Sequence, residues 1–320
     1  MNREIRVLSL GLVLAGFLVA ACAPKPAPPK EVPTVETGVD PDAWVRVPAG
    51  EFLFGLHNDR MVLDYDYEIM KTPVTNAQWA RFLNQALHDS AARSLVKLSE
   101  EGVMAYYPGE PYHGGKHEER IDAGWYLAYP LHEVGQKVHL EGDTFVVAKG
   151  FENHPATFIT YFGAWAYCQY YGYRIPTEAE WEKAARGTDG RAYPWGDEIG
   201  PAYANYRHSR DPFEKYWGGL GETTPVGFYN GKTYFGFKTE NAASPYGACD
   251  MAGNVWEWVS DDIEETHQRI LKGGSFADYE IDCRATWRNF APPEITESTV
   301  GFRCVRAVPA DTTGNTTEAP

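Results

Sequence analysis

Residues 250–258 read Asp250-Met251-Ala252-Gly253-Asn254-Val255-Trp256-Glu257-Trp258, so that two tryptophans flank a glutamate just after a glycine. Large aromatic side chains beside glycine are typical of a loop-rich interior, because glycine permits unusual backbone angles and close packing against a bulky ring. We therefore predict that Trp256 and Trp258 lie in the core of a folded domain.

Comparable motifs occur on both sides of this stretch. They are Val47-Pro48-Ala49-Gly50-Glu51-Phe52, Lys71-Thr72-Pro73-Val74-Thr75-Asn76, Arg174-Ile175-Pro176-Thr177-Glu178-Ala179-Glu180-Trp181-Glu182, Tyr193-Pro194-Trp195-Gly196, Lys272-Gly273-Gly274-Ser275-Phe276 and Gly301-Phe302-Arg303-Cys304. We predict that Trp181 and Trp195 are also core residues. The charged groups of these motifs, which are Arg174, Glu178, Glu182 and Arg303, are expected to form buried ion pairs.

The composition predicts few long regular elements. The chain has 31 glycines and 22 prolines, and aromatic residues make up 14% of it. Helices are predicted after Thr75, with Gln78 completing a capping box, after Thr177, with Glu180 completing a second one, and over 160–171. Strands are predicted at 44–47, 51–54 and 144–148, together with a hairpin that turns at Asn230-Gly231. Residues 86–150 are polar and show little periodicity.

The first residues indicate export. Arg3 and Arg6 precede an apolar run from Val7 to Ala21, which is typical of a secretory signal and too short to span a bilayer comfortably. The run ends in Val19-Ala20-Ala21-Cys22, which resembles a bacterial lipobox. We therefore expect residues 1–21 to be a lipoprotein signal peptide and Cys22 to carry the lipid, since several acyl chains on one cysteine anchor a protein durably.

The rest of the chain divides into a tether, a domain and a tail. Residues 22–42 are rich in proline and are expected to form the tether, residues 43–308 a single domain, and residues 309–320 a disordered tail. Loss of the signal takes away two arginines and one glutamate, so the net charge changes from −15 to −16. Such an acidic protein is not expected to bind nucleic acid.

Taken in their order, the motifs resemble those of the formylglycine-generating enzyme (sulfatase-modifying factor) family across nearly all of 43–308. The resemblance implies an α+β fold of the C-type-lectin kind, loop-rich and with few short helices and strands. It also implies a possible activity, because authentic members of the family oxidise a cysteine side chain to formylglycine.

The oxidase site of the family has two cysteines after a Gly-Gly-Ser motif, and thiolates suit a soft Cu(I) ion. In this sequence Asp278 stands in the place of the first cysteine, and only Cys283 matches the second. Cys283 is therefore the candidate catalytic residue, but one thiolate and one carboxylate are a poor Cu(I) site. Copper is not expected as a cofactor.

Four cysteines remain when Cys22 is lipidated, and in an oxidising compartment three pairings of them are open. The resemblance implies that Cys168 and Cys304 form a structural disulfide. Cys249 and Cys283 are then left as a second pair, which is either bonded or free. We expect the bonded form.

Two groups of residues were considered as metal sites. The resemblance implies a structural calcium site in which Gly253 and Val255 offer carbonyls and Asn254 and Glu257 side chains. The second group is the His113-x3-His117-x-Glu119 spacing, which matches an iron motif of distant relatives. That motif needs a helix, and Gly114 and Gly115 make a helix improbable there.

Two classes of function follow. The leading interpretation is an envelope-anchored binding or scaffold module, held to the membrane through Cys22, whose partner is an unknown envelope protein or a glycan or peptide ligand. In a diderm host, Ala23 after the cysteine favours the periplasmic face of the outer membrane. The alternative is an oxidase that generates formylglycine on sulfatases or modifies another peptide or small molecule.

Overall fold

A computed structural model describes residues 32, 34–110, 121–214, 221–263 and 266–309 of the chain. Its helices are α1 (Asn76–His88), α2 (Tyr161–Tyr171) and α3 (Glu178–Arg186), with a short 3₁₀ helix at Ser90–Ser94. Its strands are β1 (Trp44–Val47), β2 (Gly50–Phe54), β3 (Asp59–Leu63), β4 (Tyr67–Met70), β5 (Val96–Leu98), β6 (Gly102–Tyr107), β7 (Gly124–Pro130), β8 (Val138–Glu141), β9 (Thr144–Val147), β10 (Thr233–Tyr234), β11 (Phe237–Lys238), β12 (Trp256–Ile263), β13 (Gln268–Lys272), β14 (Asn289–Ala291), β15 (Val300–Gly301) and β16 (Val305–Ala307). The predicted α+β, loop-rich fold is confirmed.

The three predicted helices are present because their first turns are capped. Thr75 and Thr177 are the N-caps of α1 and α3, and in each case the side chain three residues on, Gln78 or Glu180, bonds back to the cap. Such a cap is worth about 1 kcal/mol. Helix α2 begins after Thr160 and ends at Gly172, whose positive φ of 72° stops it.

Two sheets hold the ends of the domain together. Strands β1, β4 and β16 form one sheet, in which β4 lies between the first and the last strand of the chain. The second sheet has the order β14-β13-β12-β15, and β12 pairs with β13 in antiparallel fashion and with β15 in parallel. The loop-rich segment 250–258 runs directly into β12, which fixes its position relative to the core.

Residues 86–150, whose sequence shows little periodicity, also contain regular secondary structure. Strands β5, β6 and β7 form a three-stranded sheet and β8 pairs with β9. The buried rings of this part join one aromatic core with those of α1 and α2, as in the contacts of Trp79 with Tyr129 and of Tyr107 with Phe162. Residues 86–150 therefore belong to the domain, as far as the structure describes them.

The predicted core tryptophans are buried to different extents. Trp181 and Trp258 are fully buried and Trp256 is nearly so. Trp195 is only partly buried and stacks between Tyr193 and Tyr203.

None of the helices in the described part of the chain is long and apolar enough to cross a membrane.

The predicted hairpin at Asn230-Gly231 is wrong. The two-residue turn is Phe235-Gly236, where both φ angles are positive, and it joins β10 to β11. Asn230 instead forms an isolated bridge with Asn241. The reason is tertiary packing, because Phe228, which would lie in the first strand of a hairpin turning at Asn230-Gly231, packs against Phe213 in a separate aromatic cluster.

The predicted tether is too long. Val35 is 6% exposed and packs in the same cluster as Phe213. The carbonyl of Thr37 accepts hydrogen bonds from Asn230 Nδ2 at 3.1 Å and from Lys232 Nζ at 2.8 Å. Residues 35–42 therefore belong to the domain, because their valines add apolar surface that a proline-rich composition conceals.

Helix α2 lies so close to β7 that only glycine fits at position 163. A Cβ at Gly163 would lie 2.4 Å from the carbonyl oxygen of Ala128. Replacing glycine by alanine in a helix normally stabilises a protein by up to about 1 kcal/mol. Here we expect Gly163→Ala to destabilise it by about 1–3 kcal/mol, because the overlap with backbone forces the helix away from the sheet.

Urea unfolding of both proteins measures this difference. Gln169, which is exposed in the same helix, supplies the control: Gln169→Ala should be more stable than Gln169→Gly by about 1 kcal/mol. A stabilising Gly163→Ala would contradict the close approach of α2 to β7.

Candidate functional site

The candidate site is the loop that follows β13. Gly273 and Gly274 both have positive φ angles, 97° and 75°, and they turn the chain sharply after Lys272. A Cβ on Gly274 would lie 2.8 Å from the sulfur of Cys283, so the second glycine lets the two ends of the loop pack together. The loop thereby brings Ser275, Asp278 and Cys283 into one region.

Asp278 is held by two donors. Its Oδ2 atom accepts a hydrogen bond of 2.7 Å from Trp256 Nε1 and a short one from the hydroxyl of Ser275. The Asp278 side chain is half-buried, and its backbone carbonyl accepts from the amide of Arg207. A carboxylate thus occupies, in a fixed orientation, the position that the resemblance assigns to the first cysteine.

Cys283 is fully buried beside Tyr193, Tyr206 and Ala252. This burial raises the pKa of the Cys283 thiol well above its ordinary value, and the nearby carboxylate of Asp278 raises it further. A protonated thiol is a weak nucleophile and a weak metal ligand, since both roles need the thiolate. The surroundings of Cys283 therefore disfavour both the nucleophilic and the metal-binding role of its sulfur.

The other described cysteines, Cys168, Cys249 and Cys304, are thiols in the structure and are also buried. The sulfurs of Cys168 and Cys304 lie 2.9 Å apart. Cys249 has different surroundings from Cys283: its sulfur lies 3.9 Å from the carbonyl of Gly247, and burial raises the pKa of its thiol to about 12. Neither disulfide is formed in the structure, and both pairings stay predictions.

Glu257, at the start of β12, forms a fully buried ion pair with Arg303. Glu257 Oε2 accepts from Arg303 Nε and from Trp181 Nε1, and Oε1 accepts from Arg303 Nη2, each at 2.7 Å. The same guanidinium donates to the backbone carbonyls of Met70 and Cys249 at 3.0 and 2.9 Å. The expectation that Arg303 is an ion-pair partner is confirmed.

The remaining charged motif residues are confirmed as ion-pair partners too. Glu178 and Glu182 both bind Lys272, at 3.0 and 3.2 Å. Glu182 also pairs with Arg186, while Arg174 pairs with Glu180. Lys272, the common partner of Glu178 and Glu182, could not be predicted from local sequence patterns, because the contacts join α3 to β13 across about ninety positions.

Two of the four predicted calcium ligands, Asn254 and Glu257, already have protein partners. Glu257 is neutralised by Arg303, and Asn254 Oδ1 accepts from the amide of Thr224 at 3.1 Å. The backbone carbonyl of Asn254 accepts from Phe276. Calcium at Gly253, Asn254, Val255 and Glu257 would have to share or displace these bonds, and the site stays a prediction. The His113, His117 and Glu119 spacing lies outside the described residues.

These features define a member of a known class. Residues 29–308 match the model of the sulfatase-modifying factor enzyme 1-like domain, so the chain belongs to that family. It is 28% identical over 328 residues to the formylglycine-generating enzyme of Streptomyces coelicolor, covering 89% of this chain and 96% of that protein.

Two further proteins are similar. The uncharacterized protein YfmG of Bacillus subtilis is 28% identical over 305 residues, which cover 84% of this chain and 55% of YfmG, so the chain spans about half of that relative. Among solved structures, PvdO from Pseudomonas aeruginosa has a TM-score of 0.53 at 19% identity, covering 83% of this chain and 94% of PvdO. The likeness to PvdO shows the shared fold.

The buried Glu257–Arg303 pair leads to a prediction about stability. In Glu257→Gln the guanidinium of Arg303 stays buried without its counter-charge, and we expect a loss of about 3–5 kcal/mol in the free energy of unfolding. Urea unfolding measures the loss. The matched control is Glu51→Gln, which breaks the exposed pair with Arg60 and should cost less than about 1 kcal/mol.

The same variant tests the calcium site. If calcium binds Glu257, the melting temperature of the unaltered protein falls when a calcium chelator is added, and Glu257→Gln loses that response.

A loss of stability in Glu257→Gln equal to that in Glu51→Gln would contradict the ion-pair role.

Proposed function

We propose that this protein is an envelope-anchored binding or scaffold module of the sulfatase-modifying factor family and not a copper-dependent oxidase. The observation that carries the proposal is the carboxylate of Asp278, fixed by Trp256 and Ser275 where the family's oxidases have a cysteine. Cu(I) prefers soft sulfur ligands, and a carboxylate is a poor substitute. Copper is therefore not part of this proposal.

The state of Cys283 supports the same conclusion. Its burial and the negative charge of Asp278 both raise the pKa of the thiol, so that at neutral pH the sulfur keeps its proton. Asp278 thus removes one copper ligand and also weakens the other. A single substitution changes the chemistry of both positions.

The surface beside Asp278 is suited to binding. Tyr279 and Ile281, in the same loop, are 49% and 45% exposed, and the guanidinium of Arg207 lies 5.3 Å from the ring of Tyr279. Exposed aromatic and aliphatic side chains next to a fixed carboxylate offer both apolar contact and a hydrogen-bond acceptor. A peptide, a glycan or another envelope protein could bind through contacts with these side chains.

The anchor and the location are part of the proposal. Lipidation of Cys22 would attach the domain to the cell envelope, on the periplasmic face of the outer membrane in a diderm host. The excess of negative charge, −15 for the whole chain, makes nucleic acid an unsuitable partner. Calcium at the Gly253 to Glu257 segment is proposed only as a structural ion.

Substitution of Cys22 tests the anchor. In Cys22→Ala the thiol that accepts the lipid is missing, and we expect the protein to move from the membrane fraction to the soluble fraction. Cell fractionation followed by immunoblotting measures the distribution. Cys249→Ala, which removes a buried thiol elsewhere, is the control and should stay with the membrane. Full retention of Cys22→Ala in membranes would exclude this anchor.

An oxidase is the second candidate, and one observation favours it. The formylglycine-generating enzyme of Streptomyces coelicolor is matched over 96% of its length, so the chain contains the equivalent of nearly the whole enzyme. In that case the protein would generate formylglycine on sulfatases, or modify another peptide or small molecule, with an altered site.

A peptide assay separates the two candidates. We expect the purified protein, supplied with copper, not to convert a Cys-x-Pro-x-Arg peptide to the formylglycine aldehyde, because it offers one protonated sulfur instead of two thiolates. Mass spectrometry detects loss of the peptide thiol and gain of the aldehyde.

Asp278→Cys is the matched variant, since it restores a candidate pair with Cys283. It should bind Cu(I) at least about tenfold more tightly than the unaltered chain, because two cysteine sulfurs are then available to the ion and the charge of Asp278 is gone. Turnover by the unaltered protein would put the oxidase first.

A further inference from the structure

Three side chains from two distant parts of the sequence meet at the end of β12 that is remote from Trp256. Asp262 is in β12, His267 precedes β13 directly, and Glu110 follows β6. The Nδ1 atom of His267 lies 2.9 Å from Glu110 Oε2 and 3.0 Å from Asp262 Oδ2. One ligand atom from each residue lies within 4.8 Å of the others.

We propose that Glu110, Asp262 and His267 form a binding site for a divalent transition-metal ion of the Zn²⁺ type. Zinc accepts histidine nitrogen and carboxylate oxygen at about 2.0–2.2 Å in tetrahedral geometry, which places neighbouring ligand atoms roughly 3.3 Å apart. The separations of 2.9 and 3.0 Å between His267 Nδ1 and the two carboxylate oxygens need an outward shift of only a few tenths of an ångström, and all the ligand atoms lie within 4.8 Å of one another.

The carboxylate of Glu110 is oriented by other residues. Its Oε1 atom accepts a hydrogen bond of 2.6 Å from the hydroxyl of Tyr107 and also pairs with Arg269. These bonds turn Oε2 toward His267. Metal-binding carboxylates in proteins are commonly held in this way by hydrogen bonds to the oxygen that does not bind the ion.

Arg269 fits this role because it is itself fixed. Its guanidinium lies 4.1 Å from the ring of Tyr161 and donates a 2.8 Å bond to the carbonyl of Ser260. Its Nη1 atom is 3.7 Å from Asp262 Oδ2, which is too long for a hydrogen bond. Among the described residues, the two carboxylates and one guanidinium carry one net negative charge when His267 is neutral, and a bound cation would compensate it.

His267 is in addition reached from a cavity of about 290 Å³ that Thr266, Pro293 and Glu294 also line. The backbone of His267 has a φ of 52°, in the left-handed region. Such a conformation is unfavourable for a residue other than glycine, and it is found where the position of a side chain matters.

This site is distinct from the one proposed for ligand binding. Asp278 bonds to Trp256 at the first residue of β12, whereas Asp262 is the seventh residue of this strand. The proposal therefore does not rest on the proposed function. A proton on His267 would compensate the same negative charge, and this is the alternative that the experiment must exclude.

The test is a metal titration of the full chain in detergent, after treatment with a chelator. We expect one Zn²⁺ per chain by calorimetry, and with Co²⁺ the visible absorption of a tetrahedral complex. Glu110→Gln and Asp262→Asn, which keep the shape of the side chains, should each weaken Zn²⁺ binding about 10- to 100-fold. His208→Ala removes an exposed histidine elsewhere and should bind as the unaltered chain does.

Three results would overturn the proposal. They are no stoichiometric Zn²⁺ binding by the folded chain, equal affinity in Glu110→Gln, or a Co²⁺ spectrum that His208→Ala alters and His267→Gln does not. If a variant fails to fold, as judged by its melting curve, the stoichiometry and the Co²⁺ spectrum of the unaltered chain decide.

Discussion

The buried guanidinium of Arg303 joins parts of the chain that are otherwise connected only through long loops. It is paired with Glu257 at the start of β12, and it also donates to carbonyls at the end of β4 and just before the 250–258 stretch. Burial of a charge is costly unless its donors are satisfied, and here the guanidinium has an acceptor for each nitrogen. The positions of Trp181, of β12 and of the loop after β13 all depend on this arrangement.

The parts of the fold that could be predicted are those with local causes. The helices that follow Thr75 and Thr177 could be predicted, because a capping box involves only four neighbouring residues. The hairpin at Phe235-Gly236 was placed too early because Asn230-Gly231 is the stronger local turn signal, and only the packing of Phe228 decides between them. The candidate loop was found through its motif, while Glu110, Asp262 and His267 carry no common pattern and meet only after folding.

The loop after β13 illustrates how one side chain changes the properties of its neighbours. Trp256 and Ser275 both donate to the carboxylate of Asp278, and the charge of this carboxylate in turn opposes ionisation of Cys283. Gly274 keeps the thiol in close contact with the turn, away from solvent. The fold of the family is retained, while the negative charge in this loop raises the pKa of the neighbouring thiol.

The packing of Val35 against the Phe213 cluster has a geometric consequence. With Cys22 in the membrane, as proposed, ten peptide steps separate the anchor from Val32, the first described residue that packs against this cluster, and even a fully extended chain of this length spans only about 35 Å. The tether would therefore hold the near side of the domain within about 35 Å of the lipid surface. Only a partner that reaches this layer can contact the domain.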